Sequence, residues 1–193
     1  GYYLARAPGV APRVLGFIIT IPLVFPPVAL GYMLLTALGR TSLVGGALEP
    51  FGLSLIFNET AVALAGFIAG LPLVVRPLQA AFAAPRLIEL EEAARIHGAS
   101  RRDVFLRVTL PLVRPSLAAA LLLGCARVSG EVGITMMLGG NISERTNTLS
   151  LEIFNAVSRA DFDAANALCL LLSLFAAVIF LAAELLIRRS PRL

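Results

Sequence analysis

Residues 14–38, VLGFIITIPLVFPPVALGYMLLTAL, form an uncharged and strongly apolar run. A bilayer core about 30 Å thick requires about 20 apolar residues of helix, so this run is long enough to cross a membrane. The whole chain has the same character, because 58% of its 193 residues are hydrophobic and only 15% are charged. The composition excludes an ordinary soluble domain and predicts an all-α, polytopic membrane protein.

Three further runs pass the same length test, and each contains few charges. The first of them contains only Arg76, the second begins at Arg114 and contains Arg127 and Glu131, and the third contains only Glu184. We therefore predict four spans in a single transmembrane domain. The predicted spans are residues 14–38, 60–82, 114–133 and 164–187, and the predicted domain is residues 1–193.

The distribution of arginine predicts the orientation of these spans. All 16 basic residues are arginine, and arginine accumulates in the short loops that stay in the cytoplasm. If the chain starts inside, twelve arginines are cytoplasmic, three are outside and Arg127 lies in the membrane. The loop at residues 85–111 is then cytoplasmic. Because the basic residues lie between apolar runs and do not form a stripe with interleaved aromatics, we predict no binding of nucleic acid.

Three prolines, Pro22, Pro26 and Pro27, interrupt the first predicted span. Proline removes a backbone donor and clashes with the preceding turn, so this helix must be kinked or locally unwound. Freed backbone groups are tolerated at membrane depth only where protein or a water-filled cavity covers them. Pro26 and Pro27 are therefore candidates for the translocation path, and a purely structural kink is the alternative.

The charged segment at residues 85–111, PRLIELEEAARIHGASRRDVFLRVTLP, has the signals of two helices joined at a glycine. Pro85 suits the first position of a helix, and Gly98 suits the left-handed residue that ends one. Ser100 and Asp103 resemble a capping box that starts a second helix, which meets the membrane at Pro111. Two ion pairs one turn apart are predicted, Glu91 with Arg95 and Asp103 with Arg107.

The first of these two helices is a candidate docking element. Ala93, Ala94 and Gly98 are small, and small residues permit the close approach of another surface. The alternative is an amphipathic helix that rests on the lipid surface, which the basic residues of the loop would also favour. Periodicity alone does not decide between these two structures.

The order Glu92-Ala93-Ala94, then Gly98, then Val108, Leu110 and Pro111 has the spacing of the EAA signature of binding-protein-dependent ABC importer permeases. The chain resembles this family. The resemblance implies the permease fold, with a cytoplasmic coupling helix in this chain and one or two further spans before Gly1. It also implies that Glu92, Ala93, Ala94 and Gly98 dock on a separate ATPase subunit. The sequence has no GxxxxGK[ST] phosphate loop, so we expect no ATP site, no enzymatic activity and no cofactor in this chain.

A second resemblance covers Ala126–Val157 and the proline-rich segment Leu23–Tyr32. Both segments are similar to those of molybdate, tungstate and sulfate permeases, and molybdate or tungstate is favoured over sulfate or thiosulfate. The resemblance implies a homodimer in a prokaryotic inner membrane, with two cytoplasmic ATP-binding subunits and an external solute-binding protein. A secondary transporter without an ATPase is the alternative from another class. It would need inverted repeats and ion ligands at mid-membrane, and we find neither in the sequence.

Beyond Arg114 at its first position, the third predicted span contains two charged residues, Arg127 and Glu131. A charge at the bilayer centre costs about 2.5–3.5 kcal/mol on insertion scales, and residues four apart on one helical face can neutralise each other. We predict a structural ion pair near the outer end of the span, with a role of both residues on an oxyanion path as the alternative. No metal site is predicted, because the single histidine has no further ligands nearby. Asn141, Thr146 and Asn147 form a polar outer segment that either meets the substrate or binding protein or is simply solvated.

Overall fold

A computed structural model of the chain describes residues 1–188, and the regular elements in that part are all helical. The predicted all-α fold is confirmed. A 3₁₀ turn, Glu49–Phe51, follows the fourth helix, and a π turn, Phe105–Thr109, follows the seventh. The helices are α1 (Tyr2–Arg6), α2 (Val10–Val24), α3 (Pro27–Leu38), α4 (Leu43–Leu48), α5 (Glu59–Phe82), α6 (Pro85–Ile96), α7 (Arg101–Val104), α8 (Leu110–Ser129), α9 (Gly133–Gly139), α10 (Leu149–Ser158) and α11 (Phe162–Arg188).

Three of the described helical segments are long and apolar enough to cross a membrane. They are Glu59–Phe82, the continuous segment Arg101–Ser129, and Phe162–Leu185. The number becomes four if Pro27–Leu38 and Leu43–Phe51, which are bent by 46° at a short break, form one broken span. The second and fourth predicted spans, residues 60–82 and 164–187, correspond closely to α5 and α11.

The first predicted span, residues 14–38, is two helices in the structure. Helix α2 ends at Val24 and α3 begins at Pro27, so the break expected from the prolines is confirmed. Pro26 has φ −57° and ψ 128°, because a residue that precedes proline is driven out of the helical region. Pro27 then occupies the first position of α3, where no backbone donor is needed. With 15 and 12 residues, neither helix alone has the roughly 20 residues that a full span requires.

The third predicted span, residues 114–133, differs from the structure at both ends. The helical segment starts at Arg101, passes through Pro111 and ends at Ser129. Pro111 cannot donate to the preceding turn, and the π turn that ends at Thr109 widens the helix just before it. At the other end, residues 130–132 interrupt the helix before α9 begins at Gly133, so Glu131 lies beyond the last turn of α8.

The described residues form two compact units. The first unit contains Gly1–Thr20, Leu71–Cys125 and residues 178–188. Its core consists of Leu78, Leu87, Val113 and Ala120. The second unit contains Ile21–Gly70 and Ala126–Ala177. Its core consists of Leu30, Ile56, Ala61, Ala65, Ala69, Ile134 and Leu138.

Within the second unit, α3 and α9 cross at two glycines. A Cβ atom on Gly133 would lie 2.7 Å from Cβ of Pro27, and one on Gly31 would lie 2.9 Å from Cβ of Met137. Both distances are shorter than non-bonded carbon atoms tolerate, so only glycine fits at either position. The crossing holds the start of α3, and therefore the proline break, directly against the start of α9.

Candidate functional site

The predicted docking helix is α6, and its C-terminus is closed by a Schellman motif. Gly98 has φ +85°, a left-handed conformation that glycine adopts without strain. The Gly98 amide donates to the Arg95 carbonyl at 2.9 Å, and the Ala99 amide donates to the Ala94 carbonyl at 3.0 Å. These are the two hydrogen bonds that define the motif. The helix end predicted at Gly98 is therefore confirmed.

The second helix of the loop starts two residues later and is also capped. The Ser100 hydroxyl accepts from the Asp103 amide at 3.2 Å and donates to the Asp103 carboxylate at 2.5 Å. The predicted ion pair between Asp103 and Arg107 is present at 3.7 Å between exposed side chains. Hydrogen bonds restrain the backbone on both sides of the turn, at Gly98 and Ala99 and again at Asp103. We therefore expect the connection between the two helices of the loop to be stiff.

Glu91 does not pair with Arg95 as the sequence predicted. Its side chain is only 4% exposed, and it accepts from two residues that are distant in the chain. Arg6 donates to one carboxylate oxygen at 2.9 Å, and the Thr109 hydroxyl donates to the other at 2.6 Å. A carboxylate is buried only where partners of this kind compensate for its lost hydration. Glu91 therefore ties α6 both to α1 and to the π turn.

Sequence reasoning assigned no role to this link between Glu91, Arg6 and Thr109. The spacing of Glu91 and Arg95 suits a surface pair, and nothing in the local pattern shows that the helix turns Glu91 inward. The only local signal is the neighbouring Leu87, which is one turn earlier on the same face and fully buried.

The four predicted docking residues lie on the solvent-facing side of α6 and at the turn that follows it. Glu92, Ala93 and Gly98 are exposed and Ala94 is half-buried. Two large apolar side chains are exposed beside them, Leu90 at 41% and Ile96 at 83%. Leu87 on the opposite face is buried in the core of the first unit. Helix α6 is thus anchored on one side and presents small and apolar residues on the other.

Arg127 and Glu131, the predicted ion pair, lie 2.7 Å apart, and Glu131 is buried. They do not share a helical face, because α8 ends at Ser129. The other oxygen of the Glu131 carboxylate accepts from the Ile134 amide at 2.8 Å. The carboxylate therefore neutralises Arg127 and also satisfies a free donor in the first turn of α9.

Pro26 and Pro27, the other two predicted path residues, are exposed at the break between α2 and α3. Pro27 contacts Gly133 at the helix crossing, and Gly133 is two residues from Glu131. The structure thus brings the proline break and the ion pair together in the second unit. The contact of these residues with a transported solute stays a prediction.

The polar outer segment is held by its own side chains. Thr146 is buried, and its hydroxyl donates to the Gly139 carbonyl at 2.8 Å. Asn141 donates to Asn155 at 2.7 Å, and Asn147 donates to Glu152 at 2.5 Å. These contacts give the three predicted residues a structural role in the loop.

Glu152 is the acceptor at the centre of this segment. Hydrogen bonds from Arg159, and then from Asn147 and Asn155, lower the pKa of Glu152 to about 2. The carboxylate is therefore ionised throughout the physiological pH range.

Comparison with known proteins decides the family. The profile of the binding-protein-dependent transport system inner membrane component matches residues 1–192. The chain belongs to this family. It is a multi-pass permease component of the plasma membrane, as the apolar helices also indicate.

The permease is similar to several curated bacterial proteins. It is 36% identical to the molybdenum transport system permease protein ModB of Haemophilus influenzae over 99% of this chain and 84% of that protein. It is 36% identical to ModB of Azotobacter vinelandii over 86% and 73% of the two chains. It is 42% identical to ModB of Mycobacterium tuberculosis over 92% and 67%. Members of this family work with an ATPase and an external binding protein.

The Glu91 link can be tested by substitution with glutamine. Glu91→Gln retains an acceptor for Thr109 but removes the charge that pairs with Arg6. We expect the permease to be destabilised by about 1–3 kcal/mol, the usual cost of a buried hydrogen-bonding group that loses its partner, because the remaining Arg6 is partly exposed to solvent. The loss is measured as a lower melting temperature of the purified protein. Glu89→Gln, an exposed change on the same helix, is the control. Equal shifts for the two variants would contradict the structural role of Glu91.

Breaking the ion pair between Arg127 and Glu131 should destabilise the permease more than Glu91→Gln does. Arg127→Gln leaves the buried Glu131 carboxylate without its cation, which costs about 3–5 kcal/mol in other buried pairs. The matched control is Arg159→Gln, which removes the cation of the half-exposed Glu152, and we expect little change in melting temperature there. Normal stability of Arg127→Gln would show that Glu131 does not depend on this pair.

Proposed function

We propose that the chain is the membrane-spanning subunit of an ATP-driven molybdate importer. Its energy would come from a separate cytoplasmic ATPase, and its substrate would be delivered by an external binding protein. The observation that carries the proposal is the stiff loop at residues 85–111, whose anchored helix α6 presents an exposed surface with the EAA spacing. Membership of the binding-protein-dependent family supports it.

Molybdate is favoured over sulfate or thiosulfate by the relatives. The proteins from Haemophilus influenzae, Azotobacter vinelandii and Mycobacterium tuberculosis are each named as molybdenum transport permeases. Identities of 36–42% over most of the chain support the same substrate class here. Tungstate has the same charge and tetrahedral shape, so we expect it to be carried as well.

The active permease is proposed to be a homodimer with two ATPase subunits. In this assembly Glu92, Ala93, Ala94 and Gly98 would contact the ATPase surface, with Ile96 between them. Closure of the ATPase dimer on ATP would displace α6, and Glu91 would pass this displacement to α1 and the π turn. A ligand shifts a conformational equilibrium only by its differential affinity for the two states. The ATPase must therefore bind α6 differently in its open and closed forms.

The proposal is tested by reconstitution of the full complex in vesicles. Permease, ATPase and binding protein are combined, and molybdate uptake is measured by mass spectrometry of the vesicle contents. We expect uptake that requires ATP and all three proteins, and that excess sulfate does not reduce. Uptake without the ATPase would contradict the proposal and favour a secondary transporter. Accumulation of sulfate but not molybdate would contradict the substrate.

Two substitutions at one position test the docking role in the same vesicles. A side chain on Gly98 would meet no atom within 4 Å, so only its φ of +85° matters. Valine is strained in this region by roughly 1–2 kcal/mol, whereas asparagine tolerates it. We expect Gly98→Val to weaken ATPase association and uptake several-fold, and Gly98→Asn to retain most of both. Equal behaviour of the two variants would contradict the docking role of this turn.

A further inference from the structure

Arg76 carries a charge within the apolar helix α5, and neutral groups hold it in place. Its Nη2 donates to the Gly16 carbonyl at 2.8 Å, and its Nε donates to the Thr20 hydroxyl at 3.0 Å. Its Nη1 donates to the side-chain oxygen of Gln79 at 2.8 Å. Among the side chains that the structure describes, residues 1–185, no carboxylate lies within ion-pair distance of Arg76.

The unneutralised charge of Arg76 borders a cavity of about 390 Å³ in the first unit. Arg13 and Gln79 also line this cavity, together with Gly16 and Pro12. Arg13 is exposed, and it makes no hydrogen bond or ion pair within the part of the chain that the structure describes. A water molecule occupies about 30 Å³ in the liquid. The cavity therefore has room for a small tetrahedral anion together with several waters.

The donors around this cavity suit an oxyanion. Nη1 of Arg76 carries two N–H groups, and only one of them is used by Gln79. All five donors of Arg13 are available. Guanidinium groups bind carboxylate, phosphate and similar oxyanions through pairs of parallel, charge-assisted hydrogen bonds. Two arginines that face one cavity without a carboxylate create a positive potential there, which favours an anion over a neutral solute or a cation.

We propose that Arg13 and Arg76 bind a tetrahedral oxyanion in this cavity. Arg76 is positioned by Gln79, whose amide nitrogen donates to the Leu4 carbonyl. During import the ligand of this site is the transported dianion. The site lies on the cytoplasmic side, because the arginine distribution predicts that side for residues 13 and 76. This inference rests on the proposed function as a molybdate importer. It differs from the interpretation of Arg127 as a path residue, because the charge of Arg127 is already neutralised by Glu131.

A phospholipid headgroup offers the same chemistry as a free oxyanion. Both present tetrahedrally arranged oxygens and negative charge, and arginines near a cytoplasmic membrane surface attract anionic lipid. The experiment therefore needs one arm in zwitterionic lipid and one in anionic lipid.

The test uses the permease–ATPase complex in nanodiscs, without binding protein or nucleotide. Binding of molybdate is measured by equilibrium dialysis, with the metal quantified by mass spectrometry. In phosphatidylcholine nanodiscs we expect saturable binding by the wild type and at least tenfold weaker binding by Arg13→Gln, since a charge-assisted hydrogen bond is lost. Arg13 is exposed, so this variant is not expected to impair folding. Arg76→Lys keeps the charge but loses the planar fork, and we expect intermediate binding.

The matched control is Arg40→Gln. Arg40 is also exposed, and it lines a different cavity, of about 800 Å³, with Arg145. We expect wild-type binding for this variant. Weaker binding by Arg40→Gln with normal binding by Arg13→Gln would overturn the proposal.

The anionic arm replaces part of the phosphatidylcholine with phosphatidylglycerol. If the ligand is the free dianion, molybdate binding remains within a few-fold of its value in phosphatidylcholine. The opposite result is a complex that retains phosphatidylglycerol through Arg13 and Arg76 and binds no molybdate. That result would assign the site to lipid phosphate and overturn its role in transport. Binding of neither ligand would overturn the site itself. If the wild-type complex still imports molybdate in vesicles, the proposed function stands without this site.

Discussion

The carboxylate of Glu91 is the constraint on which the exposed loop depends. A buried carboxylate is costly unless its oxygens are satisfied, and here each oxygen has one partner from a different part of the chain, Arg6 and Thr109. Helix α6 therefore cannot shift alone without breaking a charge-assisted hydrogen bond. The Schellman turn at Gly98 and the cap at Ser100 extend the same stiffness to the second helix of the loop. We therefore expect a displacement of the exposed face of α6 to be passed on to α1 and the π turn.

Glu91 and Glu131 on the one hand and Arg76 on the other carry their charges in different ways. Glu91 and Glu131 are buried, and each is matched by an arginine within 3 Å, so these charges serve to position helices. Arg76 is held by a carbonyl, a hydroxyl and an amide, which are all neutral. Its positive charge is therefore not neutralised, and it attracts anions into the adjacent cavity. This contrast separates structural charges from one that is available to a ligand. The prolines also position a helix, because the break at Pro26 lets α3 begin in contact with Gly133.

Much of this structure could be predicted from sequence, because the signals involved are local. The length of the uncharged runs predicted α5 and α11. Pro85 and Ser100 predicted the starts of the two loop helices to within a residue, and Gly98 predicted the turn that closes the first. The remainder depends on residues distant in the chain. Glu91 was predicted to pair with Arg95, yet its partners are 85 and 18 residues away. The prolines indicated a break in residues 14–38, but whether it separates two helices or only bends one depends on the contact of Pro27 with Gly133. Likewise, the pairing of Arg127 with Glu131 was predictable from spacing, whereas the end of α8 at Ser129 was not.

The central claim is that the exposed face of α6 is the surface on which the ATPase acts. Site-specific cross-linking in the assembled complex tests it most directly, in a background where Cys125 and Cys169, both exposed, are changed to serine. A cysteine at Ile96, which is 83% exposed, should cross-link to the ATPase, and the yield should change when ATP is bound. A cysteine at Ser143, exposed in the predicted outer segment, should not cross-link to it. Cross-linking from position 143 but not from position 96 would contradict the account.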